Sequence, residues 1–291
     1  MGINFPERGY VVRQVFRTRC LGLIALAVLF LGARDARADD APADVREAPP
    51  FDQFLVLPLK VHVLKSDDLP EVNCLLKDED VTRILGKVNG IWHKAGIHWG
   101  LDSIVREPAA RQGKYRLARD LDGPKNLGIF RLLVPDSGRD GGELHVYYLH
   151  RFPVNGVWMG EDFAIVQETA KLREVEGGID EPVPRVTAHE LGHALGLPHR
   201  QATTNLLASG TTGTLLNTTE VEIARKTARS VEGVKTVAAL KTEAAGAETG
   251  GDLAKARKVW AWLAEIPGAG DEARDNLKRI KAGKGGSGQS E

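Results

Sequence analysis

The run "TAHELGHALGLPH", Thr187–His199, constrains the chain more than any other segment. His189 and His193 stand four residues apart. On an α-helix they share one face, one turn apart, so both imidazoles reach a common point. Glu190 follows the first histidine and projects beside that point. Gly196 lets the backbone leave the helix, because glycine takes positive φ without steric cost. The reversal brings His199 back as a third nitrogen donor. Three protein nitrogens leave the fourth position of a tetrahedral ion open, the arrangement of a catalytic rather than a structural site. Pro182 and Pro184 fit the first turn of this helix.

The segments upstream set the fold class. In "FLVLPLKVHVLKS", Leu57, Leu59, Val61 and Val63 alternate with polar or smaller residues, a strand pattern. "DEDVTRILGKVNGIWHKAG" carries Val81, Ile84, Leu85, Val88, Ile91 and Trp92 at helical spacing. Asp78 or Asp80 is placed to cap it, and Gly96 to stop it. "IHWGLDSIVRE", "NLGIFRLLVP", "ELHVYYLHRF" and "GVWMGEDFAIVQE" read as further strands, with a long loop over 106–126. The order predicts an α/β (α+β) domain over 56–218: a mixed twisted sheet, one upstream helix and one helix carrying the histidines. Beyond it, 219–280 predicts a C-terminal helical extension, broken at "EAAGAETGG". Its last part, "DLAKARKVWAWLAEIPGAGDEARDNLKRIK", reads as two short helices, and residues 220–280 as a whole offer a surface for a protein partner. Residues 281–291 read as a disordered tail.

Charge and cysteine usage narrow the class. Lys plus Arg and Asp plus Glu each number 39, so no net charge argues for nucleic acid. Six of the basic residues lie in 1–38, against two acids. There a basic start precedes the twelve-residue apolar run Leu21–Gly32, then "ARADD" with Ala36 and Ala38. This is the layout of a secretory signal peptide cut after Ala38. Twelve apolar residues fall short of the about 20 that span a bilayer. The expected product is secreted or periplasmic, with no stable membrane span and a flexible leader over 39–55. Loss of Cys20 with the signal leaves Cys74 alone, so no intramolecular disulfide supports the fold. The other histidines, His62, His93, His98, His145 and His150, lack a partner at metal spacing and read as surface or hydrogen-bonded core residues.

The stretch "HELGHALGLPH" resembles HExxHxxGxxH, the zinc signature of the metzincin metallopeptidases. The resemblance implies one catalytic Zn2+ held by His189, His193 and His199, with Glu190 as general base. It implies an exported zinc endopeptidase acting on a protein or peptide substrate. The alternatives are a non-catalytic zinc-binding or adhesion module, and a zinc amidase acting on a cell-wall peptide. One feature departs from the family: the methionine of its turn beneath the metal is missing. In "NLLASG", Leu207 stands in its place, and Leu has nearly the volume of Met. Ser209 occupies the position where some relatives carry a zinc-contacting tyrosine. By the same likeness Gly156–Glu168 is the edge strand that pairs with a peptide, and Thr211–Asn217 forms a pocket wall.

Overall fold

The computed structural model describes residues 47–122, 126–136, 143–160 and 162–282. The expected signal peptide, the first part of the leader and nearly all of the tail lie outside those residues.

Six strands form one mixed sheet: β1 (Leu55–Lys65), β2 (Ile97–Pro108), β3 (Leu144–Leu149), β4 (Gly156–Trp158), β5 (Phe163–Gln167) and β6 (Lys235–Thr236). Their order is β2-β1-β3-β5-β4, and β6 pairs with the start of β1. β1 runs parallel to β2 and β3, and β3 parallel to β5. β4 is antiparallel to β5 and stands at the edge. The central strand β1 is covered on both faces, as parallel strands usually are. Its Leu57, Leu59, Val61 and Val63 join a core with helices α1 (Asp78–Trp92) and α3 (Pro182–Ala194). On the opposite face Leu64 packs with Tyr115, Phe130, Tyr147 and Ile165. Near the start of β1, Phe54 and Val56 meet a third core built by the C-terminal helices.

The alternation in β1 and the period in α1 give the elements they predict. At the start of α1 the cap is Lys77, whose backbone N–H is accepted by the Asp80 carboxylate at 3.0 Å. Elsewhere the structure departs from expectation. Within the expected loop 106–126 lies helix α2 (Gln112–Asp122). Its Leu117 and Leu121 are exposed and only Tyr115 is buried, so no apolar stripe announces it. "NLGIFRLLVP" is not a strand. Leu127–Leu133 form 3-10 turns, started by Asn126 Oδ1 accepting Gly128 N–H at 3.1 Å. Its buried Ile129, Phe130 and Leu133 follow a helical period, which a short apolar run hides. Gly156–Glu168 is a hairpin, not one strand.

The C-terminal region holds α4 (Thr218–Ala228), α5 (Val237–Thr249), α6 (Leu253–Glu265) and α7 (Gly270–Lys281). The expected break "EAAGAETGG" is mostly inside α5. Alanine is the strongest helix former, and Leu240 and Ala244 anchor the turn on the core. The pair α6–α7 matches the two-helix reading. Trp262 of α6 donates its indole N–H to Leu101 O at 3.0 Å, tying these helices to β2. Among the described residues no helix is long and apolar enough to cross a membrane.

Candidate metal centre

Every residue of helix α3 from Val183 to Gly192 is buried, the polar Arg185, Thr187, His189 and Glu190 included. It packs between α1 and the β4–β5 hairpin. Pro182 occupies the first turn, where its missing N–H costs nothing. At the other end Gly196 takes φ +80°. Leu197 N–H donates to Gly192 O and Gly196 N–H to His193 O, both at 3.0 Å, the paired bonds of a glycine-ended helix. This reversal turns His199 back toward the helix. It also aims the Leu197 carbonyl at His193.

The three histidines converge. His193 Nε2 lies 3.1 Å from His189 Nε2 and 3.2 Å from His199 Nε2. A tetrahedral ion about 2.05 Å from each nitrogen holds such atoms about 3.3 Å apart. Two of the rings place Nδ1 within hydrogen-bond distance of a backbone carbonyl, which favours the Nδ1–H tautomer. His189 Nδ1–H donates to Leu206 O at 2.8 Å, and His193 Nδ1–H donates to Leu197 O at 2.7 Å. Their Nε2 lone pairs therefore face each other with no proton between them. That arrangement is unfavourable alone and is relieved by a cation. Burial depresses His189 to about 3 and lowers His193, so both rings are neutral and ready to ligate. Among the described residues these three are the group that could hold a metal ion.

Leu207 is fully buried against α3. Its Cδ1 would stand 3.2 Å from a Cβ added at Gly192, the residue before His193. Asn205 Oδ1 accepts Leu207 N–H at 2.7 Å. The Asn205 amide in turn donates to both oxygens of Glu220, at 2.9 and 3.1 Å. Arg200 Nε donates to Glu220 Oε1 at 2.6 Å, and Asn217 N–H to Oε2 at 2.8 Å. Glu220 is completely buried, so one carboxylate holds together the loop that follows His199.

The three histidines open onto a cleft of about 800 Å³. Its walls include Leu127, Val154, Val157, Trp158, Leu172 and Val186, with Glu190, Ser209 and Gly210 also facing it. The edge strand β4 forms one side. Gly156 permits its close approach, because a Cβ there would meet Val186 at 2.6 Å and Glu190 Oε1 at 3.0 Å. Glu190 is 5% exposed. Burial pushes its carboxyl up to about 8, against the pull of a backbone bond from Trp158 and the charge of Arg185. Thr211–Asn217 does not line the cleft. Its Thr212 is bonded to Val175, Arg173 and Ile179 instead.

The remaining histidines take no part. His62 Nε2 and His145 Nδ1 are 2.9 Å apart in the sheet, with His62 Nδ1 2.5 Å from Glu107. His150 pairs with Glu168 at 2.6 Å, and His93 stacks on Phe54. Cys74 is buried, bonded to Glu168, and does not face the cleft. Sequence reasoning missed Arg185 and the cleft walls Leu127, Val154 and Leu172. Only Arg185 left a signal, as a charge in the otherwise apolar start of α3, one turn before His189.

No protein-family model matches the chain. No curated protein matches it. Among solved structures it is similar to a chain in a structure of a chaperone–substrate complex. That likeness has 14% identity and a TM-score of 0.34, and covers 61% of this chain and 35% of that one. It is also similar to metalloproteinase-II from Bacteroides fragilis, with 11% identity and a TM-score of 0.31, over 64% of this chain and 56% of that one. The chain thus spans less than two thirds of either. At that level of similarity the geometry of the histidine site, not the likeness, carries the function.

Proposed function

We propose that the chain is an exported zinc-dependent endopeptidase, metzincin-like, with His189, His193 and His199 as ligands and Glu190 as general base. The observation that carries this is the convergence of three imidazole nitrogens, two of them with their protons tied to backbone carbonyls on the far side. Neutral imidazoles in a tetrahedral half-shell suit zinc. When bound, zinc supplies Lewis acidity, acidifying water and polarising a carbonyl.

The chain's own residues supply the rest. The edge strand β4 offers backbone groups to an extended peptide, which recognises main chain before side chain. Apolar cleft walls receive substrate side chains and exclude water. Glu190 accepts the proton of the attacking water and returns it to the leaving nitrogen. Glu190 lies buried beside the histidines in the wall of the cleft, within reach of both transfers. The peptide-pairing edge favours a protein substrate over a cell-wall link. Leu207, of nearly the volume of methionine, is fully buried against α3. Export rests on the basic-then-apolar layout of residues 1–38.

The test is metal removal from the chain beginning at Asp39. Cleavage of unfolded casein is expected to stop in the presence of 1,10-phenanthroline and to return when zinc is added back. Cleavage that continues after the metal is stripped would contradict the proposal.

A further inference from the structure

Arg185 lies one helical turn before His189 and is 1% exposed. Among the described residues it makes no hydrogen-bonded ion pair, although its charge acts on Glu190; burying a cation without a direct counter-ion is costly. Its N–H groups go to backbone. Nε donates to Gly213 O at 3.0 Å, and Nη2 donates to Ala208 O at 2.5 Å and to Asn205 O at 3.3 Å. All three carbonyls belong to the loop that passes beneath the histidines. Between Asn205 and Ala208 stands Leu206, whose carbonyl takes the Nδ1 proton of His189. Nη1 meanwhile lies 3.1 Å from that same Nδ1.

The ring of His189 therefore has two hydrogen-bonding choices. It can donate from Nδ1 to Leu206 O, which leaves the Nε2 lone pair free toward His193 and His199. Or Nδ1 can accept from Arg185, which puts the proton on Nε2 and closes that ligand to an ion. The first contact is the shorter. It exists only while the loop holds Leu206 O in place, and Arg185 grips the loop on both sides of that carbonyl.

We infer that Arg185 is a positioning residue for the metal ligand His189. By binding the carbonyls of Asn205, Ala208 and Gly213 it fixes Leu206 O as the acceptor that selects the ligating tautomer. This rests on the zinc reading above. Partners of this kind, one step behind a ligand, typically govern affinity by roughly 10–100-fold.

The experiment compares the parent chain with Arg185→Met, Arg185→Lys and a core control, Val88→Ala. Zinc dissociation constants come from competition with a chelator of known affinity. The tautomer of His189 in the zinc-free proteins is read from the nitrogen shifts of 15N-labelled imidazole. Arg185→Met is expected to bind zinc roughly 10–100-fold more weakly, with Arg185→Lys between it and the parent. Val88→Ala, which loosens the same core from α1, is expected to keep the parent's affinity. The His189 Nδ1–H signature is expected to broaden or shift in the Arg185 variants alone. Unchanged or tighter zinc binding in Arg185→Met would overturn the inference, as would an equal loss in Val88→Ala. If Arg185→Met does not fold, Arg185→Lys decides by the same two readouts. A parent chain that binds no zinc would overturn the zinc reading itself, so the two failures are distinct.

Discussion

Replacing Glu190 by Gln is expected to leave zinc bound and to lower peptide hydrolysis by about 10²–10⁴-fold. Glutamine keeps the volume and can still accept the backbone bond from Trp158, so the cleft keeps its shape. It cannot take a proton from water or return one to the leaving nitrogen. Steady-state cleavage of a quenched peptide, with zinc content measured in parallel, checks this. A variant retaining most of the parent's activity would remove Glu190 from the chemistry. The same substitution reports on charge in the zinc-free chain. There burial moves Glu190 from its ordinary 4.5 up to about 8. Between those values the folded chain keeps a proton that the unfolded chain has released, so stability falls as pH rises across that window and levels off above it. Zinc-free Glu190→Gln lacks this slope. Urea unfolding at pH 5 and pH 9 is expected to show the variant gaining on the parent by about 4 kcal/mol at the higher pH.

Replacing Glu220 by Ala is expected to cost about 3–5 kcal/mol of stability, the usual loss when one partner of a buried ion pair is deleted. The carboxylate serves Arg200, Asn205 and the backbone of Asn217 at once. Removing it leaves the buried Asn205 amide without its acceptor and loosens the turn that carries Leu206 and Leu207. Zinc binding should weaken with it, because Leu206 O orients His189. Thermal unfolding of parent and variant, each with and without zinc, measures both effects. A loss below about 1 kcal/mol would show that the buried network is no more than a surface pair in strength.

The histidine site was legible in the sequence because its information is local. Spacing of four residues, a helical period and one glycine place His189, His193 and His199 together without knowledge of any distant contact. The same holds for β1 and α1, whose apolar periods are long enough to be unambiguous. What supports the site was not legible. Arg185 acts on carbonyls at positions 205, 208 and 213, and Glu220 on side chains 15 and 20 residues earlier. Neither link has a periodic signature, since each depends on how the loop folds back beneath α3. Leu127, Val154 and Leu172 reach one cleft from three separate segments. Leu127–Leu133 and α2 were misread for a simpler reason. A short apolar run does not choose between strand and 3-10 turn, and a helix with one buried anchor shows no stripe.

The proposed function requires that three histidines hold one zinc ion. Its most direct test is the zinc content of the folded parent and of His193→Ala after dialysis against buffer cleared of trace metal, measured by plasma mass spectrometry. One zinc per parent chain and almost none in a folded His193→Ala is the predicted result. A folded parent without zinc, or a His193→Ala variant that retains it, would contradict the account.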